Sequence, residues 1–108
     1  MRIEVTIKQR STDVSAKAVY EGETITVLPG GKVSQDFADH IRGGKTAKGF
    51  RDNREYVDKN RNIIKECTFS SPSTAAQFVT GRSTNGYEAW KVDNKKSLGK
   101  YLEEEGLR

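Results

Sequence analysis

The sequence has few of the residues that cross-link or stiffen a small protein. Its 108 residues include one cysteine, two prolines, one tryptophan and one histidine. Because a disulfide needs two cysteines, the lone Cys67 excludes an internal disulfide and favours a reducing compartment. No apolar run approaches the roughly 18 residues of a membrane-spanning helix, and no signal-peptide core is present. The composition therefore predicts one soluble, cytoplasmic domain that has no membrane partner.

The scarcity of histidine and cysteine also argues against catalysis. His40 has no second histidine to pair with, and Cys67 is distant from it in the sequence, so neither a metal cluster nor a Cys–His pair is expected. The two Gly-Gly steps of the chain lack the Lys-Ser/Thr context of a phosphate-binding loop. We therefore expect a protein that is not an enzyme, with no catalytic residue, no metal and no cofactor.

Charge is plentiful by contrast, and it is unevenly spread. The net charge is +4, whereas residues 41–65 alone hold eight basic and three acidic residues. A concentrated basic segment is typical of a protein that binds a polyanion such as DNA. A solvated loop and helix face has the same composition, so both interpretations stay open. The candidate phosphate contacts within this segment are Arg51, Arg54, Arg61 and Lys65.

Hydrophobic periodicity predicts strands in the first third of the chain and again near its middle. Apolar and polar residues alternate over residues 3–8, which indicates a half-buried antiparallel strand. Residues 16–20 and 24–28 lie on either side of Gly22 and predict a hairpin. Residues 62–69 return to an extended pattern rich in β-branched and aromatic residues.

The segment between these strands gives weaker signals. Residues 35–41 predict a short helix that Ser34 would cap, and residues 43–49 predict a mobile basic loop. Residues 51–59 predict a helix, with Asn60 able to end it in a left-handed conformation.

Two later helices have clear boundary signals. Ser71 is a good N-cap, and Pro72 suits the first helical position. Gly81 is the expected C-terminal stop. Ser97 caps a final helix in the same manner. The first of these helices carries an apolar stripe with small residues at its centre: Pro72, Ala75, Ala76 and Val79.

The segment after Gly81 allows two interpretations. Asn85-Gly86 suits a tight turn, and residues 87–92 would then form a strand. Alternatively, residues 83–91 form a helix that Ser83 caps, at a cost of about 1 kcal/mol for the internal glycine. We favour the strand. The whole pattern predicts an α+β fold, one small single domain in which an antiparallel sheet of three or four strands packs against two or three short helices.

Three segments carry a resemblance to a known family: VLPGGKVS at 27–34, FSSPSTAAQFVTGRSTNGYEAWK at 69–91 and SLGKYL at 97–102. Together they resemble a bacterial domain of unknown function that is typically found C-terminal to GIY-YIG nuclease domains and in restriction-modification proteins. That domain is similar to the restriction-system adenine-methylase-associated (RAMA) domain. Its signature is Ser-x-Ser-Ala-Ala, a glycine, Asn-Gly and Trp-Lys, which here corresponds to Ser71, Ser73, Ala75, Ala76, Gly81, Asn85, Gly86, Trp90 and Lys91. Thr74, between Ser73 and the alanine pair, departs from this pattern.

The resemblance divides the chain and implies a function. It covers residues 16–102 as an accessory domain, leaving residues 1–15 as an N-terminal strand and connector and residues 103–108 as a charged tail. No GIY-YIG nuclease core is present in the sequence. The resemblance implies recognition of DNA, including modified DNA, beside a nuclease or methyltransferase partner.

Each signature residue has a structural and a functional interpretation. Trp90 is either the largest residue of the core, which we favour, or a surface on which a base stacks while Asn85 reads its edge. Asn85 is otherwise a turn residue. Ser71 and Ser73 are helix caps that also suit phosphate. The flanking cations that add phosphate contacts are Arg82 and Lys91, with Lys95 and Lys96 beyond them.

Three functions are therefore compatible with the sequence. The leading hypothesis is a DNA-binding accessory module of a restriction-modification or nuclease system. The second is a protein-interaction module that docks onto a nuclease or methyltransferase. The third is a small structural domain whose signature is purely internal.

Overall fold

The structure, a computed structural model, describes residues 2–10, 12–38, 44–93 and 95–107. These ranges contain four strands and four helices, which confirms the predicted α+β class. In chain order the elements are β1 Arg2–Lys8, β2 Ser15–Glu21, β3 Thr24–Val27, α1 Gly44–Asp52, β4 Cys67–Phe69, α2 Pro72–Thr80, α3 Gly86–Ala89 and α4 Leu98–Glu104.

The four strands form one antiparallel sheet in the order β1-β2-β3-β4. The alternation in β1 is confirmed, because Ile3, Val5 and Ile7 are buried while their neighbours are exposed. The free edge of β1 is partly covered: Thr6 and Lys91 exchange two backbone hydrogen bonds of 2.9 and 2.7 Å. The chain that follows α3 therefore lies along the C-terminal half of β1.

Helix α2 lies at the centre of the core and has the predicted boundaries. Ser71 Oγ accepts a hydrogen bond from the backbone N–H of Thr74 at 3.2 Å, and Gly81 ends the helix at a φ of 72°. Ala75 and Ala76 are fully buried, so this helix packs closely on β3 and β4. Helix α4 is also confirmed, with Ser97 as its N-cap.

Helix α1 lies earlier than predicted. The prediction of a helix over 51–59 is wrong, and so is the prediction of a basic loop over the described part of 43–49, because the helix spans Gly44–Asp52. Burial of Ala47 outweighs the low helix propensity of this glycine-containing segment. The Asn53 side chain then accepts the N–H of Glu55 and starts a turn where a continuing helix was expected.

Ser34 does not cap a helix. Its hydroxyl donates to the backbone carbonyl of Asp36 at 2.8 Å, and its N–H donates to the carbonyl of Val79. Residues 35–38 are accordingly not helical. The rest of the predicted helix, His40 included, lies outside the described residues.

The strand predicted over 87–92 is wrong, because Gly86–Ala89 forms the short helix α3. The alternative prediction, a helix over 83–91, is closer to the structure. Its N-cap, however, is Asn85 and not Ser83, because the side-chain oxygen of Asn85 accepts the N–H of Tyr87 at 3.1 Å. The reason lies in Gly86, whose backbone approaches the first turn of α2 too closely for any side chain. Its N–H donates to Ser73 Oγ at 3.0 Å, which holds the two helix starts together.

The extended segment predicted over 62–69 is only partly a strand. Cys67–Phe69 pairs with β3, whereas Asn62 and Ile63 form isolated bridges with Lys32 and Val57. Cys67 is fully buried, and burial raises the pKa of its thiol to about 12.

In the ranges that the structure describes, no helix is long and apolar enough to cross a membrane.

The close approach at Gly86 makes a testable prediction. A Cβ at this position would lie 2.1 Å from the carbonyl carbon of Pro72 and 2.2 Å from its oxygen. We therefore expect Gly86→Ala to lower the free energy of unfolding by about 1–3 kcal/mol, as measured by urea denaturation. Gly49→Ala is the matched control, since nothing lies within 4 Å of its Cβ and it should gain up to about 1 kcal/mol. Equal effects of the two substitutions would contradict the proposed contact.

Candidate nucleic-acid interface

A cleft of about 450 Å³ opens between the end of β1 and the segment that joins α2 to α3. We call it the basic cleft, because four of its lining residues are cations: Lys8, Arg10, Arg82 and Lys91. All four are exposed. The remaining lining residues are Ile7, Gln9, Thr12, Thr80, Thr84, Glu88 and Ala89.

The position of each cation follows from the local fold. Lys8 ends β1, with its side chain on the opposite side from the buried Ile7. Lys91 is held against β1 by its two backbone bonds to Thr6. Arg82 directly follows the left-handed Gly81, which turns the chain out of α2. The cleft thus brings together residues from the two ends of the chain.

Threonine hydroxyls stiffen the loop that carries Arg82. Thr80 Oγ1 lies 3.1 Å from Thr84 Oγ1 and 2.9 Å from the carbonyl of Ala76. Thr84 Oγ1 donates to the carbonyl of Arg82 at 2.9 Å, while the N–H of Arg82 donates to Thr80 Oγ1. The backbone of Arg82 is therefore fixed, whereas its exposed side chain forms no hydrogen bond or ion pair within the described ranges.

The charge of the four cleft cations is not balanced by ion pairs in the part of the chain that the structure describes. Glu88 is the one carboxylate among the lining residues. Elsewhere, Lys48 pairs with Asp52 at 3.2 Å and Lys96 pairs with Glu104 at 2.7 Å. The cleft therefore concentrates uncompensated positive charge.

Arg51, a predicted phosphate contact, is directed into the protein. Its guanidinium donates to the carbonyl of Phe78 at 2.9 Å, to Ser34 Oγ at 3.1 Å and to the carbonyl of Ser34. Burial lowers the pKa of Arg51 below its ordinary value, and the nearby Asp52 carboxylate opposes that shift. Arg51 thus connects the Ser34 segment to α2, and both of its terminal nitrogens form hydrogen bonds within the protein.

Arg61 is also engaged internally. It donates to the carbonyl of Val33 at 2.8 Å and pairs with Asp13 at 3.1 Å, and Lys32 pairs with the same carboxylate. Burial raises the pKa of the Asp13 carboxyl. The hydrogen bonds and charges of Arg61 and Lys32 lower it by more, so the pKa of Asp13 lies below its usual value.

The other two cations of the basic segment lie elsewhere on the surface. Arg54 reaches the carbonyl of Val57 only at 3.5 Å, and Lys65 Nζ lies 5.1 Å from the ring centre of Tyr56. Neither lines the basic cleft. The most basic stretch of the sequence is therefore not one continuous binding face.

Trp90 belongs to the core. Its side chain is 0% exposed, and its indole N–H donates to the carbonyl of Pro72 at 3.0 Å. No face of the ring is open for a base to stack upon. Because Trp90 points inward in an extended conformation, the following Lys91 is directed outward to the cleft.

The polar residues of the signature cap and connect helices. Ser71 caps α2, Ser73 Oγ accepts the N–H of Gly86, and Asn85 caps α3. Asn85 is exposed and remains outside the basic cleft. Of the ten candidates selected from the sequence, Arg82 and Lys91 are the two that line this cleft together.

Lys8 and Arg10 were missed by the sequence analysis. They lie in a region where acidic and basic residues nearly balance, so no charge run marks them. The signal that was available is positional: Lys8 ends a predicted strand, where an exposed side chain next to a turn is expected to reach over the sheet edge.

Comparison with known proteins gives one family match. Residues 6–102 match the family described as "Domain of unknown function (DUF4357)". Searches of curated proteins and of solved structures found no match.

In the described ranges, no group of three or more His, Cys, Asp or Glu residues is placed to hold a metal ion.

The burial of Trp90 predicts its fluorescence. Because this is the sole tryptophan and its side chain is 0% exposed, we expect emission to the blue of free indole and weak quenching by iodide. Unfolding in urea should shift the emission to the red and restore quenching. A red-shifted, readily quenched native spectrum would show that the indole is open to solvent and available for stacking.

The contacts of Arg51 predict a structural effect. Arg51→Ala leaves the carbonyls of Ser34 and Phe78 without their charged donor, so we expect a loss of about 2 kcal/mol or more in unfolding free energy. The control is Arg54→Ala, which removes the same charge from an exposed site and should cost under about 0.5 kcal/mol. Urea denaturation of both variants measures the difference, and similar midpoints would refute the internal role.

Proposed function

We propose that this chain, which belongs to the DUF4357 family of domains of unknown function, is a non-catalytic accessory module that binds DNA through its basic cleft. The observation that carries the proposal is the convergence of Lys8, Arg10, Arg82 and Lys91, from separate elements, on one cleft where they have no ion pairs within the described ranges. A groove lined by one sign of charge attracts the opposite charge strongly.

The chemistry of the cleft suits a sugar–phosphate backbone. Arginine forks bind phosphate oxygens with two N–H groups, while lysine acts as a point charge. The hydroxyls of Thr12 and Thr84 donate within the protein, to the carbonyls of Gln9 and Arg82, so the cations are the groups of the lining that we expect to bind phosphate. Contacts of this kind fix the position of a protein on DNA without reading its sequence.

The lining of the basic cleft suits a sugar–phosphate backbone better than a stacked base. Proteins that hold single strands stack the bases on aromatic side chains. The residues that line the basic cleft include no aromatic side chain, and Trp90 is buried beneath it. We therefore propose that the basic cleft follows a phosphate backbone, as found in duplex DNA.

The alternative, a module that docks onto a nuclease or methyltransferase, has less support. Among the described residues, the large hydrophobic side chains that are exposed are Ile64 at 48% and Leu107 at 50%. Two side chains do not make the continuous apolar patch that marks a docking surface. The resemblance to domains found beside GIY-YIG nucleases and in restriction-modification proteins is the reason to propose DNA as the partner and such an enzyme as the wider context.

Salt dependence tests the proposal directly. Fluorescence anisotropy with a labelled duplex should give a log–log slope of about −0.9 for each phosphate neutralised, or about −3.6 if all four cations engage. Arg82→Ala and Lys91→Ala should each make this slope shallower by about 0.9. The control is Lys48→Ala, whose ion pair with Asp52 lies on α1 outside the cleft, and it should leave the slope unchanged.

A gain of affinity provides a second test that misfolding cannot imitate. Glu88→Gln removes the one carboxylate of the cleft lining, so we expect tighter binding by severalfold at low salt. Glu55→Gln changes the net charge equally at an exposed position outside the cleft and is the control. Absence of duplex binding at low salt, or equal effects of both glutamate substitutions, would refute binding through this cleft.

A further inference from the structure

A second cavity, of about 470 Å³, adjoins the basic cleft. Four residues line both: Gln9, Thr12, Thr80 and Arg82. A cavity that shares this many lining residues with its neighbour continues the same groove. A ligand held in the basic cleft therefore has direct access to the second cavity beside Arg82.

The second cavity differs from the first in its chemistry, and we call it the aromatic cleft. Phe37 lines it and is partly buried against the core, and the guanidinium carbon of Arg51 lies 5.1 Å from the centre of its ring. The backbone around Phe37 is fixed, because Ala38 N–H donates to the carbonyl of Gly81 at 2.8 Å. An aromatic ring that a cation and a fixed backbone hold at the wall of a cavity is a candidate for stacking on a planar ligand.

The aromatic cleft contains charged groups of both signs. Two arginines, Arg61 and Arg82, and two carboxylates, Asp13 and Asp36, line it, and Asp13 pairs with Arg61 and with Lys32. Asp36 is exposed, and within the described ranges its side chain forms no ion pair or hydrogen bond. The neighbouring Gln35 adds an exposed amide.

We propose that the aromatic cleft binds the base of one unpaired nucleotide, whose phosphate lies against Arg82 in the basic cleft. This inference rests on the proposed function and extends it, because it adds a base site to a backbone site. The base stacks on Phe37, and the Asp36 carboxylate accepts its exocyclic amino group. Adenine and cytosine carry such a group and thymine does not, so the site favours adenine and cytosine over thymine.

The test compares duplexes that share one sequence and differ at one position: fully paired, unpaired adenine, unpaired thymine and abasic. Extruding an unpaired base from a duplex costs little free energy. The differences in affinity among these duplexes therefore measure the contribution of the base site. We expect the adenine duplex to bind about fivefold or more tightly than the abasic duplex by fluorescence anisotropy, which is the lower end of stacking contributions. We expect the thymine duplex to lie between them.

Two substitutions assign the effect to its residues. Phe37→Leu keeps an apolar side chain against the core but removes the aromatic face, so it should abolish the preference over the abasic duplex. Asp36→Ala should abolish the preference for adenine over thymine. The variant should fold, because the hydrogen bonds of Asp36 within the described ranges are made by its backbone carbonyl. Both variants should bind the paired duplex with the wild-type salt slope, and thermal melting confirms that they fold.

The outcomes separate the two proposals. If the paired duplex binds with the expected salt slope but adenine, thymine and abasic duplexes bind equally, the base site is refuted and the backbone site stands. If none of the duplexes binds at low salt, the proposed function itself fails and the base site fails with it. Loss of paired-duplex affinity in folded Phe37→Leu would also refute the division into two clefts.

Discussion

The rest of the structure depends on the contact between the first turn of α2 and the start of α3. The carbonyl of Pro72 accepts the Trp90 indole N–H, and the N–H of Gly86 reaches Ser73 Oγ over a gap that admits no side chain. This contact fixes where the chain leaves α3. The chain then pairs Lys91 with Thr6, which partly covers the edge of β1 and forms one wall of the basic cleft.

The signature residues are mainly determinants of this contact. Serine and asparagine cap helices, glycine permits a close approach or a left-handed turn, and tryptophan fills the core. Lys91 is the signature residue that lines the basic cleft, and it is positioned by the buried residue before it. In this chain the pattern therefore specifies the architecture more directly than it specifies a ligand.

The sequence predicted those parts of the fold that depend on local chemistry. Neighbouring residues determine the caps of α2 and α4 and the alternation of buried and exposed residues in β1, so these predictions are confirmed. Helix α1 was misplaced because burial of Ala47, a tertiary effect, overrides local propensity. The basic cleft could not be predicted for a similar reason, since charge runs reveal cations that are close in sequence and this site joins cations from distant segments.

The joining of distant segments in the cleft has a thermodynamic consequence. Lys8 and Arg10 meet Arg82 and Lys91 only when β1 has paired and α3 has docked, so the unfolded chain lacks this arrangement of charge. A ligand that binds the cleft in the native state and not in the unfolded state stabilises the fold by an amount that grows with the ratio of its concentration to its dissociation constant. At a hundred times its dissociation constant, such a ligand contributes about 2.7 kcal/mol. Small domains have a free energy of unfolding of about 5–15 kcal/mol, so a ligand of the proposed site would add a substantial part of that stability.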